Sequence, residues 1–108
     1  MDTWVTTGTR QKIVFKCTSA DHWPVSVSGD LPELGAWNPA NALAMQSQQS
    51  PQGGWEWSAI IELPLGSTLE YKFIKTTDAG VVWESGFNRR YTVIPGAYSI
   101  SDAFRAPA

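Results

Sequence analysis

The sequence is poor in the residues on which most metal centres, disulfide scaffolds and hydrolytic sites depend. Among its 108 residues there is one cysteine and one histidine, so no internal disulfide can form, and a metal ligand set or a catalytic triad lacks its members. We therefore expect no metal and no cofactor. Cys17, in "KIVFKCT", has the parity of Ile13 and Phe15 and is predicted to be a small buried side chain, whereas His22 lies in a predicted loop with no group to orient it as a base.

Positive charge and long apolar runs are also scarce. Eight basic residues against ten acidic ones give a formal net charge of −2, and Arg89 and Arg90 form the only adjacent basic pair, so the chain lacks the field that nucleic-acid binding requires. No apolar run approaches the roughly 18 residues of a membrane span, and the opening "MDTWVTTGTR" has no signal-peptide pattern. We expect neither a nucleic-acid nor a membrane partner.

Catalysis by paired carboxylates has one candidate pair. A glycosidase needs two carboxyl groups about 5–10 Å apart across a cleft, and Glu70 and Glu84 approach each other if their segments form a hairpin. Glu70, however, neighbours Lys72 in a predicted strand and is typical of a surface charge. The sequence therefore indicates no enzymatic activity and no catalytic residue.

Short alternating or apolar segments dominate the chain, and Gly, Pro, Asn and Asp separate them, which is the pattern of β-strands. Strands are predicted at 12–17, 24–29, 55–63, 69–75, 81–84, 90–94 and 97–104. The turn sequence "TDAG" makes 69–84 a predicted hairpin. With no long helical period, these segments predict an all-β fold of about seven to eight short strands, either an open-sided antiparallel β-barrel or an immunoglobulin-like β-sandwich. We expect one module over 1–108.

Two segments do not fit a strand. Residues 29–45, "GDLPELGAWNPANALAM", are predicted to form a long loop with a short helical turn, because Pro32, Gly35 and Pro39 interrupt any regular pattern. Residues 46–54, "QSQQSPQGG", are polar and low in complexity, and we expect them to be flexible.

Six tryptophans are more than a core of this size requires. Trp37 lies in the long loop and Trp83 at the end of a strand, and loops run over the surface, so both rings should be at least partly exposed. Exposed aromatic rings suit sugars, with roughly 1–2 kcal/mol for each stacked ring, and Lys72, Glu84 and Asn88 can donate to and accept from hydroxyls. Two alternatives remain open: the rings cover a small core, or they form a hot spot of an immunoglobulin-like protein-interaction module.

Three blocks, "VSGDLPELGAWNPANAL", "LPLGSTLEYKFIK" and "VVWESGFNRRYTV", together resemble the starch-binding domain known as the family-20 carbohydrate-binding module. They match its G-x-x-x-x-L-G-x-W loop, its E-Y/F-K-F strand and its W-E-x-x-x-N-R loop, in order and spacing. The resemblance covers about residues 12–105. It implies a non-catalytic domain with two glucan-binding sites on opposite parts of an open-sided β-barrel or sandwich.

The resemblance also implies residue roles at the first site. In such domains the tryptophans of the two loops form a joint stacking platform, and these match Trp37 and Trp83. Hydrogen bonds to glucose hydroxyls are implied for the lysine of the E-Y-K-F strand, the glutamate after the second tryptophan and the loop asparagine, which match Lys72, Glu84 and Asn88. Arg89 and Arg90 are expected to pair with acidic neighbours or to flank the fold rather than to contact the ligand, because the ligand is uncharged.

The second site departs from the family's pattern. Its strand tryptophan matches Trp57, but one expected tyrosine falls on Asp21 and another within "QSQQS", where there is no aromatic residue. Trp23 and Trp55 are the candidates to substitute for these two tyrosines, and the alternative is a second site that is weakened, rebuilt or lost.

The resemblance implies starch, glycogen-like α-glucans, maltooligosaccharides and β-cyclodextrin as ligands, bound so that the module targets an attached amylolytic enzyme to its polysaccharide. That enzyme would be a covalently linked catalytic module. We expect secretion as part of the larger enzyme, with an intracellular glycogen-associated protein as the alternative.

Overall fold

The structure, a computed structural model, describes residues 10–96 and 99–107, and within them the chain forms nine β-strands and two short 3₁₀ turns. The strands are β1 Arg10–Ser19, β2 Val25–Gly29, β3 Leu43–Ala44, β4 Gln46–Gln49, β5 Trp55–Pro64, β6 Thr68–Thr77, β7 Gly80–Trp83, β8 Arg89–Thr92 and β9 Ser99–Ala103. They form a four-stranded sheet in the order β4-β5-β1-β9 and a five-stranded sheet in the order β3-β2-β6-β7, in which β8 also pairs with β6.

The core lies between the two sheets, and the period-2 alternation of the strands fills it. On β1 the buried apolar residues are Ile13, Phe15 and Cys17, and on β6 they include Tyr71 and Phe73. The Phe15 and Tyr71 rings meet across the sheets edge to face at 5.2 Å between centroids, a favourable geometry for aromatic pairs. The predicted β-sandwich is thus confirmed, without closure into a barrel in the described ranges. The pKa of the Cys17 thiol is raised to about 12, mainly because the thiol is buried. This is expected of a structural cysteine.

The strand predictions agree with the structure except around residue 46. β6 and β7 form the predicted hairpin, with Ile74 opposite Trp83. The prediction that 46–54 is flexible is wrong for Gln46–Gln49, which forms β4 at the edge of the four-stranded sheet and pairs antiparallel with β5. Together with the two-residue β3 it raises the strand number above the expected seven to eight. Trp4 and residues 97–98 lie outside the described residues.

The long loop between β2 and β3 contains two 3₁₀ turns, Pro32–Leu34 and Pro39–Asn41, which confirms the expected helical turn. Leu34 is fully buried and anchors the loop to the core. Gly35, Ala36 and Trp37 then follow with φ of 86°, 50° and 66°. This left-handed run turns the chain outward, and it carries the Trp37 ring away from the core.

The strand β6 pairs along one edge with two successive strands. β8 pairs with residues 68–71 of β6 and β7 with residues 74–77. The segment 84–88, which connects β7 to β8, therefore emerges at the middle of this edge, and we call it the W-E loop because it directly follows Trp83. No helix in the described ranges is long and apolar enough to cross a membrane.

Candidate functional site

The outer face of the five-stranded sheet carries most of the residues predicted for the first site. On β6 the side chains of Glu70, Lys72 and Ile74 alternate with the buried Tyr71 and Phe73 and so point away from the core. Residues directly opposite each other in antiparallel strands share a face, so Trp83, opposite Ile74, joins them there. Ile74 is 2% exposed although it is on the outer face, and we attribute its burial to its cross-strand partner Trp83.

Trp37 and Trp83 come together over this face. Their ring centroids are 6.2 Å apart with an interplanar angle of 48°, and both residues are half-buried. Trp37 approaches from the long loop and Trp83 from the end of β7, so two segments distant in sequence build one aromatic surface. We refer to the two rings as the Trp37–Trp83 pair.

Trp37 is held in an unusual backbone conformation. A positive φ in a bulky residue costs roughly 1–2 kcal/mol, and Ala36 beside it has the same handedness. The Trp37 N–H donates to the Gly29 carbonyl at 2.8 Å, and the Asn38 N–H donates to the Gly35 carbonyl at 2.9 Å. These bonds compensate part of the strain and fix the direction in which the indole leaves the loop.

Polar groups border the Trp37–Trp83 pair along β6. Lys72 is half-buried, two residues before Ile74 on the same face. Asn88, at the end of the W-E loop, is exposed and donates through Nδ2 to Glu70 Oε1 at 3.0 Å. Arg90 donates to the other oxygen of Glu70 at 2.9 Å. These two hydrogen bonds hold the pKa of Glu70 below its usual value, and the bond from Arg90 has the larger effect. Ammonium, amide and carboxylate groups therefore lie on one exposed face.

Glu84 does not lie on this face. Its side chain is fully buried, because Trp83 points outward and the next residue of an extended strand must point inward. Oε2 accepts from the Phe73 N–H at 2.9 Å and from Arg89 Nε at 2.8 Å, and Oε1 accepts from Arg89 Nη2 and from Arg105. The expectation that this carboxylate hydrogen-bonds a sugar therefore does not agree with its position.

The buried carboxylate stays charged because its partners are charged. Burial alone acts to raise the pKa of Glu84, but hydrogen bonds from Arg89, the Phe73 N–H and Arg105 outweigh it and leave the pKa below its usual value. Arg89 also reaches Asp102 on β9 at 3.0 Å. The expected pairing of Arg89 and Arg90 with acidic neighbours is confirmed by these contacts and by the Arg90–Glu70 bridge.

The residues predicted for the second site form a different cluster. Trp55 and Trp57 lie on the same face of β5, which is the core face, and Trp57 is 5% exposed. The His22 imidazole stacks on Trp55 at 3.7 Å between centroids and 17° between planes, and it lies 5.4 Å from Trp57. Its Nε2 makes a 2.9 Å hydrogen bond with Ser47 Oγ on β4.

The second site is therefore not assembled as an open platform. Trp57 presents its ring to the core and His22 covers a face of Trp55, so the structure does not support direct stacking of a sugar on Trp57. Trp23 is exposed to 38% and does not appear in the stacked contacts of this cluster. The one histidine of the chain lies in the loop before β2, as expected, and closes an aromatic cluster.

Sequence analysis missed one residue on the outer face. Phe87, in the W-E loop, is 91% exposed, and it lines a shallow concavity of about 500 Å³ together with Glu70, Gly86, Asn88 and Arg90. Phe87 could have been noticed in the sequence as an aromatic residue at one of the x positions of the W-E-x-x-x-N-R pattern, where the family specifies no residue type. In the described ranges, no group of three or more acidic, histidine or cysteine side chains is arranged to hold a metal ion.

Comparison with known proteins identifies the family of this chain. The sequence model of the family described as starch binding domain matches residues 10–101. The chain is 42% identical over 73 residues to the AA13 family lytic polysaccharide monooxygenase A of Aspergillus terreus, covering 67% of this chain and 18% of that protein. It is 40% identical over 84 residues to the alpha-amylase of Streptomyces violaceus, covering 76% and 14%.

A solved structure shows the same fold. The glycoside hydrolase family 15 glucoamylase from Hypocrea jecorina superposes with a TM-score of 0.81 at 26% identity, over 91% of this chain and 18% of that one. The chain thus spans less than a fifth of each of these three proteins.

Proposed function

The chain belongs to the starch binding domain family, and on that premise we propose that it binds α-1,4-glucans by stacking glucose rings on Trp37 and Trp83, without catalysing a reaction itself. One observation carries this proposal: two partly exposed indoles from separate segments meet at 6.2 Å on the outer face of a sheet. A sugar ring has an apolar C–H face that suits an indole, and each stacked ring contributes about 1–2 kcal/mol.

Lys72 and Asn88 supply the polar part of the proposed site. An ammonium group donates and an amide both donates and accepts, so together they can orient a sugar whose hydroxyls do both. Glu70 replaces Glu84 as the carboxylate on this face, because Glu84 is buried and Glu70 directly contacts Asn88. The site is open and bordered by solvent, so its affinity for a disaccharide should stay at or weaker than about 10 µM.

The proposed ligands are starch, glycogen-like α-glucans, maltooligosaccharides and β-cyclodextrin. The relatives are named as an amylase, a glucoamylase and a polysaccharide monooxygenase, and the chain matches a small part of each. We take this as support for one binding module that holds a covalently linked catalytic module close to its polysaccharide. By the same reasoning we propose that it is secreted as part of that larger enzyme.

The first experiment is isothermal titration of β-cyclodextrin, with a granular-starch pull-down, for the parent, Trp37→Ala and Trp83→Ala. Loss of a stacking ring should lower the affinity of each variant about 10-fold or more. Ile60→Ala is the matched control, because Ile60 is 63% exposed on the other sheet, and its affinity should equal that of the parent. Circular dichroism verifies that each variant is folded.

Two results would contradict the proposal. If the folded parent binds neither starch nor β-cyclodextrin, the proposed function is refuted, and the exposed rings would then indicate a protein partner. If Trp37→Ala and Trp83→Ala bind as well as the parent does, the protein still binds starch, but at a site other than the Trp37–Trp83 pair. Trp57→Ala in the same series should reduce stability and leave binding at the Trp37–Trp83 pair, in accord with the burial of Trp57.

A further inference from the structure

Phe87 is the most exposed large apolar side chain in the described part of the protein. Its 91% exposure compares with 63% for Ile60, 49% for Ile94 and 42% for Val81. Single exposed apolar residues are common on protein surfaces and by themselves carry no function. The surroundings of Phe87 are what distinguish it.

The W-E loop that carries Phe87 is held in place on several sides. Arg105 Nη2 donates to the Phe87 carbonyl at 2.7 Å, and the Ser85 N–H donates to the Arg105 carbonyl at 2.8 Å. Gly86, with φ of 88°, leaves so little room that an added Cβ would lie 2.9 Å from Arg105 Nη1. The same arginine bonds the buried Glu84, so the exposed ring stands on a braced backbone.

Hydrogen-bond donors and acceptors both surround the concavity that Phe87 lines. Glu70 is ionised and accepts from Arg90 and Asn88. Asn88 lines the concavity and uses one N–H for Glu70, which leaves its Oδ1 and second N–H as an acceptor and a donor for a ligand. An aromatic face beside donors and acceptors matches the chemistry proposed for the Trp37–Trp83 pair.

The concavity lies on the same face of the sheet as that pair. Glu70, which lines the concavity, is two residues from Lys72 on β6, a distance of about 7 Å, and Asn88, which also lines it, is one of the polar groups proposed for the pair. Trp83 directly precedes the W-E loop, which ends at Asn88. A glucan chain lying over the Trp37–Trp83 pair can therefore extend along β6 to Phe87 without leaving the outer face.

We propose that Phe87 forms an additional glucose subsite, in which its ring stacks on a further sugar of the same α-glucan while Asn88, Glu70 and Arg90 bind the hydroxyls of that sugar. This inference rests on the proposed function and extends it from a disaccharide site to a longer groove. Because the subsite acts only on a ligand long enough to reach it, it selects chain length. Longer maltooligosaccharides should gain more affinity from Phe87 than maltose does.

The test is calorimetric titration of maltose and maltohexaose into the parent, Phe87→Ala, Phe87→Trp and Trp83→Ala. Phe87→Ala should weaken maltohexaose binding about 5- to 10-fold and maltose binding far less, since one stacked ring is lost. Phe87→Trp should retain the preference for the longer ligand, because it keeps an aromatic face. Ile60→Ala again controls for the loss of an exposed apolar side chain.

The outcomes separate the two proposals. If Trp83→Ala abolishes binding while Phe87→Ala binds both ligands as the parent does, the glucan site stands and the additional subsite is refuted. If Phe87→Ala weakens both ligands equally, Phe87 does not select chain length and this inference fails. If the parent binds neither sugar, the proposed function fails first. Sedimentation of the parent and Phe87→Ala at the titration concentrations must show the same mass, because self-association through Phe87 would also contradict the subsite.

Discussion

Trp83 and Glu84 are adjacent in sequence, but Trp83 lies on the surface and Glu84 lies in the interior. Consecutive residues of an extended chain point to opposite faces, so an outward Trp83 requires an inward Glu84. The carboxylate then takes up hydrogen bonds from Phe73, Arg89 and Arg105. What a sequence pattern groups as two neighbouring ligand residues is, in the fold, one residue of the surface and one of the interior.

Replacing Glu84 by glutamine should therefore affect stability more than binding chemistry. The amide keeps the shape but removes the charge that Arg89 and Arg105 face, and breaking a buried pair costs about 3–5 kcal/mol. Urea unfolding followed by tryptophan fluorescence measures this loss. Glu62→Gln is the control, because Glu62 is exposed on β5, and its stability should change by no more than about 0.5 kcal/mol. Equal stability of the two variants would show that the buried carboxylate contributes nothing.

At the scale of elements, the alternation that marks a core face predicted the long strands, whereas the short strands β3 and β4 were missed. β1, β5 and β6 have apolar residues at every second position of the stretches 13–17, 55–63 and 69–73, so their existence and their faces could be predicted. Gln46–Gln49 has four exposed polar side chains, and its strand conformation depends on backbone pairing with β5, which no local pattern records. The two loops of the site could be recognised by their motifs, but their packing could not.

The same limit explains the outcome at the two aromatic clusters. Trp37 and Trp83 were recognisable as partners from their motifs, and the structure brings them together. For Trp55 and Trp57 the shared face was predictable, but which face it was depended on the register Cys17 opposite Trp57. The stacking of His22 on Trp55 joins a loop to a strand and leaves no trace in the sequence of either.

The W-E loop offers a test of how an element positions the site. Gly86→Ala places a Cβ against Arg105 and adds the strain of φ 88°. We expect the free energy of unfolding to fall by about 1–2 kcal/mol. Glucan binding should also weaken, because the substitution displaces Asn88. Gly66→Ala is matched in backbone, with φ of 84° and nothing within 4 Å. It should show the strain without the change in binding. Urea unfolding and β-cyclodextrin titration of both variants make the comparison, and equal affinities would mean that the brace does not position the site.

At the scale of the whole molecule, an ionic network joins the edges of both sheets. Arg89 on β8 bridges Glu84 after β7 and Asp102 on β9, and the Tyr71 hydroxyl donates to Asp102 at 3.3 Å. A second bridge links Lys75 on β6 to Asp21 at 3.0 Å. The network therefore connects the two sheets to each other and not only the strands within one of them.

Acid should destabilise the protein in a defined direction. The pKa of Glu84 and that of Asp21 lie below their usual values of 4.5 and 3.8, so the folded state holds these protons less tightly than the unfolded state. A lowered pKa contributes stability that is complete above the unfolded value and is lost as the pH falls through the folded value.

Urea unfolding at a series of pH values measures this dependence. The free energy of unfolding should change little between pH 7 and about 5 and decrease steadily below pH 4.5. Glu84→Gln should show a shallower decrease, because it has lost one of the titrating groups. A parent whose stability rises on acidification would contradict the ionised state of the network.

The parallel pairing of β1 with β9 has a mechanical consequence. β1 begins at Arg10, β9 ends at Ala103, and Ala103 lies opposite Thr18, so the two ends of this strand pair are about 26 Å apart along the sheet. Tension applied between them pulls the strands past each other lengthwise, and the bonds of the five paired positions must then yield together instead of one after another. Such a shear geometry resists extension far better than an unzipping one. A chain held at both of these strand ends would therefore transmit a pulling force through the module before the module unravels.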